Sequence, residues 1–445
     1  MRRSSTVEMR TSDVAAATGG RLLGPDVTVS GAAIDSRLVS GRELFVPVVA
    51  ERDGHDFVPA ALEAGAAAYL TARGALPAAE GATAVEVDDT SSALSALGAH
   101  GRHLLQPGVE GRVVGVTGSV GKTSVKDLLA AALAARWRTT ASAGSFNNEL
   151  GVPLTLLGAP GDTQALVVEM GARGAGHVAE LCAVARPAVG VVTRVAAVHT
   201  ETFGTIDDVA TAKSELVAAL PASGVAVLNA ADPRVAAMAR RTAARVVMFG
   251  EAGDVRAEDV TLDDELRATF RLASPWGSGI VRLGARGLHM VENALAAAAA
   301  ALVCDVALDD VAAALGHAGV SRWRMELATL PSGARLLNDA YNANPVSMAA
   351  ALRALAGLPA RRRVAVLGLM AEIGPSSESE HRAVGDLARD LGVEVVALGV
   401  PAYGGTPVAD LADAVAALGD LGPDDAVLLK GSRVAGLERL VDLLR

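Results

Sequence analysis

Cysteine is nearly missing from this chain of 445 residues, with only Cys182 and Cys304, far apart and in no CxxC or metal-ligand spacing. No disulfide framework is spelled, and both thiols read as core residues in a reduced, cytosolic setting. Aromatic residues make up only 3%, in a composition rich in Ala and Gly. No excess of positive charge is present, and a net charge of −10 excludes a general nucleic-acid binder. Nor is there an apolar run of the roughly 18 residues that a membrane span needs, since the longest, Ala294 to Cys304, is short and Ala-rich. Arg2 and Arg3 are not followed by an apolar stretch, so no signal peptide is expected, and residues 1–8 read as a tail, with Met9 as an alternative start. What remains is a globular chain long enough for roughly three domains at about 150 residues each. Its ligands must be sought in clefts.

The strongest local signal is Thr117-Gly118-Ser119-Val120-Gly121-Lys122-Thr123-Ser124. An apolar run from Arg112 to Val116 precedes it and Lys126-Asp127-Leu128-Leu129 follows, which predicts strand, loop and helix. A phosphate chain needs backbone N–H groups aimed at it, a lysine against the β/γ-phosphates and a hydroxyl for Mg²⁺. Gly118, Gly121, Lys122 and Thr123 supply those parts at a helix N-terminus, so ATP or GTP with Mg²⁺ is the expected ligand. Val116 stands where the strict pattern GxxxxGK[ST] has its first glycine, making this a variant loop.

Strand-like apolar runs alternate with Ala/Leu helical stretches throughout, the pattern of parallel α/β domains. Three blocks separate as residues 1–108, 109–320 and 321–445. The second carries strands near Ala165–Val168, Ala188–Val192 and Gly224–Leu228 and ends in a helix from Asn293 to Val303. The third opens after Ser321-Arg322-Trp323-Arg324, with strands near Arg335–Leu337, Arg363–Leu367, Glu394–Leu398 and Asp425–Leu429. Open parallel sheets bind ligands beyond the carboxyl ends of their strands. Glu169 and His199 lie just past such ends, so either is a metal-ligand candidate or an ordinary strand-end residue, and Lys213 alone reads as a solvated helix lysine.

Several further segments occur in a fixed order: Asp35-Ser36-Arg37, Ser145 to Pro153, Glu169-Met170-Gly171, His199 with Phe203-Gly204, and Lys213-Ser214-Glu215. After them come Gly287, His289 and Asn293, then Asp339 to Pro345, Gly368 with Met370 and Glu372, and Lys430-Gly431-Ser432-Arg433. Together with the phosphate loop they resemble the Mur ligases, ATP-dependent amide-forming enzymes that extend the peptide of peptidoglycan precursors. Asn147-Asn148 and Tyr341 to Pro345 are the segments most specific for the member that adds D-alanyl-D-alanine to UDP-N-acetylmuramoyl-tripeptide.

The resemblance implies an α/β fold in three domains: an N-terminal UDP-substrate domain, a central P-loop ATPase domain and a C-terminal Rossmann-like domain. It implies ATP and Mg²⁺ as cofactors, with Gly118, Ser119, Gly121, Lys122, Thr123, Ser124, Asn293, Arg324 and Asp339 at the nucleotide. Thr123, Glu169, His199 and a carbamylated Lys213 then serve the metals, with Lys122, Lys213 and His199 at the chemistry. Ser36 and Arg37 would meet the uridine nucleotide, while Asn147, Asn148, Asn342, Asn344 and Ser347 line the peptide side. A cytoplasmic monomer is implied too.

Two positions depart from the family pattern: Arg194 replaces an asparagine and Leu369 replaces an aspartate. Arg194 is expected to add a phosphate contact or to point to solvent. On residues alone, a sister ligase adding a single amino acid, a GTPase switch lacking its Asn-Lys-x-Asp motif, and an inactive nucleotide-binding scaffold also stay open.

Overall fold

The computed structural model describes residues 6–75, 81–196 and 203–445. Its strands are numbered in chain order. The N-terminal part holds a small sheet of β2 (Arg21–Leu23), β7 (Ala84–Val87), β6 (Ala68–Ala72), β5 (Leu44–Phe45) and β4 (Ala32–Ala33), in that spatial order. Beside it β1 (Glu8–Arg10) pairs antiparallel with β3 (Thr28–Ser30). Residues 6–8 therefore do not form the expected tail. Val7 is buried, and its N–H donates to the Ala159 carbonyl at 3.0 Å, which anchors it against the central part.

The central sheet is parallel and six-stranded: β13 (Arg245–Phe249), β12 (Val225–Asn229), β11 (Val189–Val192), β8 (Val113–Thr117), β10 (Ala165–Glu169) and β9 (Thr139–Ala141). Its four inner strands are Val-rich and buried on both faces, which is why they read as continuous apolar runs rather than alternating ones. The chain winds from β8 to one side through β9 and β10, then to the other through β11 to β13. β8 thus lies at the point where winding reverses, the place where an open α/β sheet leaves a crevice.

An antiparallel sheet of β14 (Arg256–Leu262), β15 (Arg267–Ser274) and β16 (Gly277–Arg286) follows, with bulges between Glu258 and Thr261 and between Arg267 and Thr269. The sequence reading passed over it because its strands carry charge on one face. Arg267, Arg271 and Arg282 are exposed there, while Ala268, Phe270 and Val281 point inward. The Ala-rich helix runs from His289 to Val303, four residues longer at its start than expected. Ala294 and the run from Ala296 to Ala301 are fully buried between this sheet and the helix Lys122–Ala134. A helix apolar all round must be covered all round, and alanine lets its neighbours approach closely.

The C-terminal sheet has the order β17 (Glu326–Thr329), β18 (Arg335–Asn338), β22 (Asp425–Lys430), β19 (Arg362–Leu367), β20 (Glu394–Leu398) and β21 (Thr406–Val408), all parallel except the edge pair β17–β18. The expected strands in this part agree with those observed to within a residue or so. The carboxyl ends of β18, β19 and β22 carry the loops that face the central sheet's phosphate loop.

Because the Ala-rich helix has no free face, Ala298→Leu is expected to lower stability by about 1–3 kcal/mol through overpacking. The measurement is the thermal midpoint of the variant against the parent protein.

Candidate active site

The site begins where β8 ends. Gly118 and Gly121 both have positive φ, +141° and +86°. A Cβ on Gly118 would stand 2.0 Å from Thr193 Oγ1, and one on Gly121 would stand 2.5 Å from Asn293 Oδ1. Both glycines are therefore demanded by conformation and by space. The loop between them is clamped by the residues just past β11: the Ser119 N–H donates to the Arg194 carbonyl at 2.7 Å, and the Thr193 hydroxyl to the Val120 carbonyl at 2.6 Å. The helix Lys122–Ala134 starts without a side-chain cap. Its first N–H groups and the positive end of its dipole are thus directed at the crevice, as an anion requires.

Lys122 curls over the loop, its Nζ donating to the carbonyls of Gly118 at 2.7 Å and Ser119 at 3.2 Å. Its pKa is lowered chiefly by loss of solvent, with Glu169 opposing and Arg324 adding to the shift. Thr123 and Ser124 are buried in the first turn. Glu169, at the end of β10 beside β8, is only 1% exposed. Its Oε1 accepts from Asn147 Nδ2 at 2.7 Å, while Oε2 is buried with no hydrogen-bond partner. A buried carboxylate oxygen without a donor is costly, and a hard cation removes that cost.

Lys213 lies in the helix Ile206–Ala218, capped at its start by Thr205, and is 2% exposed. It is not the solvated lysine that its sequence position alone suggests. Burial first, and the charge of Lys122 second, push its pKa down to about 7 against the pull of Glu215. His199 falls outside the described residues. Among the described residues no group of three or more His, Cys, Asp and Glu side chains is placed to hold a metal by itself.

The opposite wall comes from the C-terminal sheet. Arg324 Nη2 donates to Thr123 Oγ1 at 3.2 Å, and its guanidinium lies 4.2 Å from the centre of the Tyr341 ring. Tyr341 in turn hydrogen-bonds Ser145 of the central part. These contacts, with the Ser321 N–H on Asp127 Oδ2 at 2.7 Å, hold the two walls around a cleft of about 1130 Å³. Asn147, Asn148, Asn342, Asn344 and Ser347 all line it. Asn344 and Ser347 also form a capping box at the start of the helix Pro345–Gly357, so their polar groups are preorganised by helix formation.

Some expected placements differ. Asp339 is not among the cleft-lining residues; its carboxylate accepts from buried Lys430 at 2.5 Å and from the Met325 N–H at 3.1 Å. Ser36 and Arg37 sit in a short 3₁₀ turn, where Arg37 pairs with Asp35 at 2.7 Å and leaves Ile34 as the nearby residue that reaches the cleft. Arg194 neither contacts the phosphate loop through its side chain nor points freely to solvent, because its guanidinium is paired with Glu292 at 2.7 Å. Leu369 is partly exposed and not among the lining residues, although Ala371 and Glu372 are. His289, ambiguous by sequence, stands near Asp339 and Lys430, and its pKa is lowered mainly by burial.

The cleft also contains Arg173, His177 and Glu180, which sequence reasoning did not single out, and Glu372, which it named within a motif but gave no place in the site. The first three lie in the loop after β10 and in the helix His177–Ala185 that it leads into, and position after a buried parallel strand was the available signal. Glu372 has a φ of +64°, a strained backbone in a cleft-lining loop that only coordinates reveal.

Because Gly121 has positive φ and no room for a Cβ, Gly121→Ala carries strain of about 1–3 kcal/mol. It should weaken ADP binding in calorimetry by at least about fivefold, since 1.4 kcal/mol is tenfold in affinity.

A family model of the Mur ligase middle domain matches residues 116–301, and one of the Mur ligase glutamate ligase domain matches residues 323–433. The UDP-N-acetylmuramoyl-tripeptide--D-alanyl-D-alanine ligase of Mycobacterium tuberculosis (strain ATCC 25618 / H37Rv) is 40% identical, with 98% of each chain covered. The ligase of the same name in Escherichia coli (strain K12) is 35% identical, with 96% of each covered. A crystal structure of MurF from Acinetobacter baumannii superposes with a TM-score of 0.89 at 30% identity, covering 99% of both chains. MurF ligase from Thermotoga maritima in complex with ADP gives 0.80 at 27% identity, covering 93% of this chain and 96% of that one. With a phosphate loop, an opposing C-terminal wall and relatives matched over nearly their whole length, this chain belongs to the Mur ligase family.

Proposed function

We propose that the chain uses ATP to join D-alanyl-D-alanine to UDP-N-acetylmuramoyl-tripeptide, giving the pentapeptide nucleotide used for peptidoglycan. The observation that carries this reading is the cleft, which sets the phosphate loop and the Asn147–Glu169 pair against the segment from Tyr341 to Ser347. Nearly full-length relatives named for that reaction support it.

The tripeptide carboxylate is a poor electrophile. Transfer of the γ-phosphoryl group of ATP forms a new O–P bond on it and releases ADP. The dipeptide amine then attacks the carbonyl carbon, the C–N bond forms, the amine loses a proton, and phosphate departs with the electrons of the C–O bond. In this scheme Gly118, Ser119, Gly121, Lys122, Thr123 and Ser124 hold the phosphates, and Lys122 offsets charge as it moves between oxygens. Asn293 and Arg324 orient the nucleotide. Asp339 reaches a ribose only by sharing its carboxylate with Lys430. Asn147, Asn148, Asn342, Asn344 and Ser347 position the peptide, and Ser36 and Arg37 the uridine end. Residues 1–108, 109–320 and 321–445 then act as UDP-substrate, ATPase and closing ligase domains, and closure keeps water from the acyl phosphate.

Thr123 and the unpartnered Glu169 Oε2 suit Mg²⁺, and His199 and Lys213 complete the proposed set. Bound there, Mg²⁺ neutralises crowded phosphate oxygens. Lys213 belongs in such a set only as an anion. With its pKa near 7 the neutral amine that adds CO₂ to form a carbamate is available at physiological pH, and carbamylation removes a repelling cation from beside Lys122. No helix among the described residues is long and apolar enough to cross a membrane; the family resemblance alone is what assigns the reaction to a cytoplasmic monomer.

Phosphate release from ATP with the UDP-tripeptide should require D-alanyl-D-alanine and yield the pentapeptide nucleotide by mass. Turnover with a single amino acid would move the chain to a sister ligase, and ADP binding without turnover would mark a scaffold. Independently, ¹³C-bicarbonate should give a carbamate NMR signal that strengthens as pH rises through about 7 and is missing in Lys213→Arg.

A further inference from the structure

Arg194 and Glu292 form an ion pair at the edge of the nucleotide site, and both are built into the groups that shape the phosphate loop. Arg194 Nη2 meets Glu292 Oε2 at 2.7 Å, and its Nε meets Oε1 at 3.3 Å, a two-point engagement of guanidinium with carboxylate. Glu292 Oε1 also accepts from Asn229 Nδ2 at 2.9 Å, and the same Nδ2 donates to the Thr193 carbonyl at 2.8 Å. The ends of β11 and β12 are thereby tied to the first turn of the helix His289–Val303.

The other ends of these ties touch the loop itself. The Arg194 carbonyl holds the Ser119 N–H, and the Arg194 backbone would lie 3.1–3.2 Å from a Cβ on Gly118. Asn293, the residue after Glu292, sets its Oδ1 against Gly121. A closed ring results: loop, Arg194, Glu292, Asn293, loop. Its charged link is the Arg194–Glu292 pair, each side chain about a third exposed at 37% and 30%. Glu292 in the first helical turn is also favoured by the helix dipole, so it can remain there without the arginine, but with less reason to hold one position.

We propose that Arg194 is a positioning residue for the nucleotide, acting through Glu292 to dock the helix start, and with it Asn293, on the phosphate loop. It sets affinity for the adenine nucleotide rather than the rate of chemistry. This inference rests on the nucleotide reading of the loop and gives the Arg194 departure from the family pattern a function that is not a phosphate contact.

The test is ADP calorimetry on the parent protein, Arg194→Ala, Arg194→Lys, Glu292→Gln and the double variant Arg194→Ala with Glu292→Gln, followed by steady-state kinetics. Arg194→Ala should weaken ADP binding and raise KM for ATP about three- to tenfold, the worth of a partly exposed charged pair and of a Glu292 left with Asn229 as its remaining partner. KM for the UDP-peptide and kcat should change by less than that, and Arg194→Lys should recover part of the loss. The double variant should bind ADP about as well as Arg194→Ala alone, because coupled residues are not additive. Equal ADP affinity in parent, Arg194→Ala and Glu292→Gln would overturn the proposal, as would additive losses in the double variant or matching rises in KM for every substrate. Failure of the parent to bind ADP would overturn it together with the nucleotide reading, and that outcome is distinct from equal binding by all variants.

Discussion

Close approach of neighbouring side chains and backbone to the glycines that follow β8 is the constraint on which the site depends. Thr193 Oγ1 and Asn293 Oδ1 occupy the space that side chains at positions 118 and 121 would need. The loop is therefore not a flexible ribbon that wraps a ligand. It is a wedge between the segment just past β11 and the start of the helix His289–Val303, its shape fixed by packing before a ligand arrives. Preorganisation of this kind costs no rearrangement at the moment of binding. It also explains why Val116, where the strict pattern has its first glycine, need not be glycine: it lies inside buried β8, paired with Glu169 and Val191 on its two neighbours.

Charge balance is the second organising element. Lys122, Lys213 and Arg324 bring positive charge into or beside one cleft, whereas Glu169 meets them with one oxygen satisfied by Asn147 and one unsatisfied. Burial weakens the charged form of both lysines. Such an arrangement is poor for stability and useful for a site that receives phosphate and carboxylate, since the incoming anions supply the missing counter-charge. Lys430 shows the contrasting solution. It is equally buried, but Asp339 and the Asn342 carbonyl satisfy it within the C-terminal part, so it shapes the Asp339–Asn342 turn rather than serving a ligand.

In the hydrogen bonds that join the two walls the C-terminal partner lies in a loop, while Thr123 and Asp127 lie in the helix Lys122–Ala134. Arg324 on Thr123, Tyr341 on Ser145 and Ser321 on Asp127 join elements whose own hydrophobic clusters are otherwise largely separate. Leu266 of the hairpin β14–β15 is the exception, since it packs into the C-terminal cluster beside Met325 and Leu337. Of the joining residues, Arg324, Thr123, Tyr341 and Ser145 also line the cleft.

Much of the fold could be read directly. Parallel strands buried on both faces announce themselves as Val-rich runs, and the loop from Thr117 to Ser124 carries its chemistry in adjacent residues. The antiparallel β14–β16 sheet could not be read so well, because its exposed arginines break the apolar pattern. The sequence by itself determined which segments are strands and helices in the parallel parts, where a phosphate would bind, and which family the chain resembles, because those signals are local in spacing and residue type. Only the tertiary structure decided the partners. It gave Arg194 to Glu292, 98 residues on, Tyr341 to Ser145, 196 residues back, and Asp339 to Lys430, 91 residues on. It also buried Lys213, which local pattern placed in solvent. A side chain's partner and its exposure are set by what the fold packs against it, and neither is written in the residues beside it.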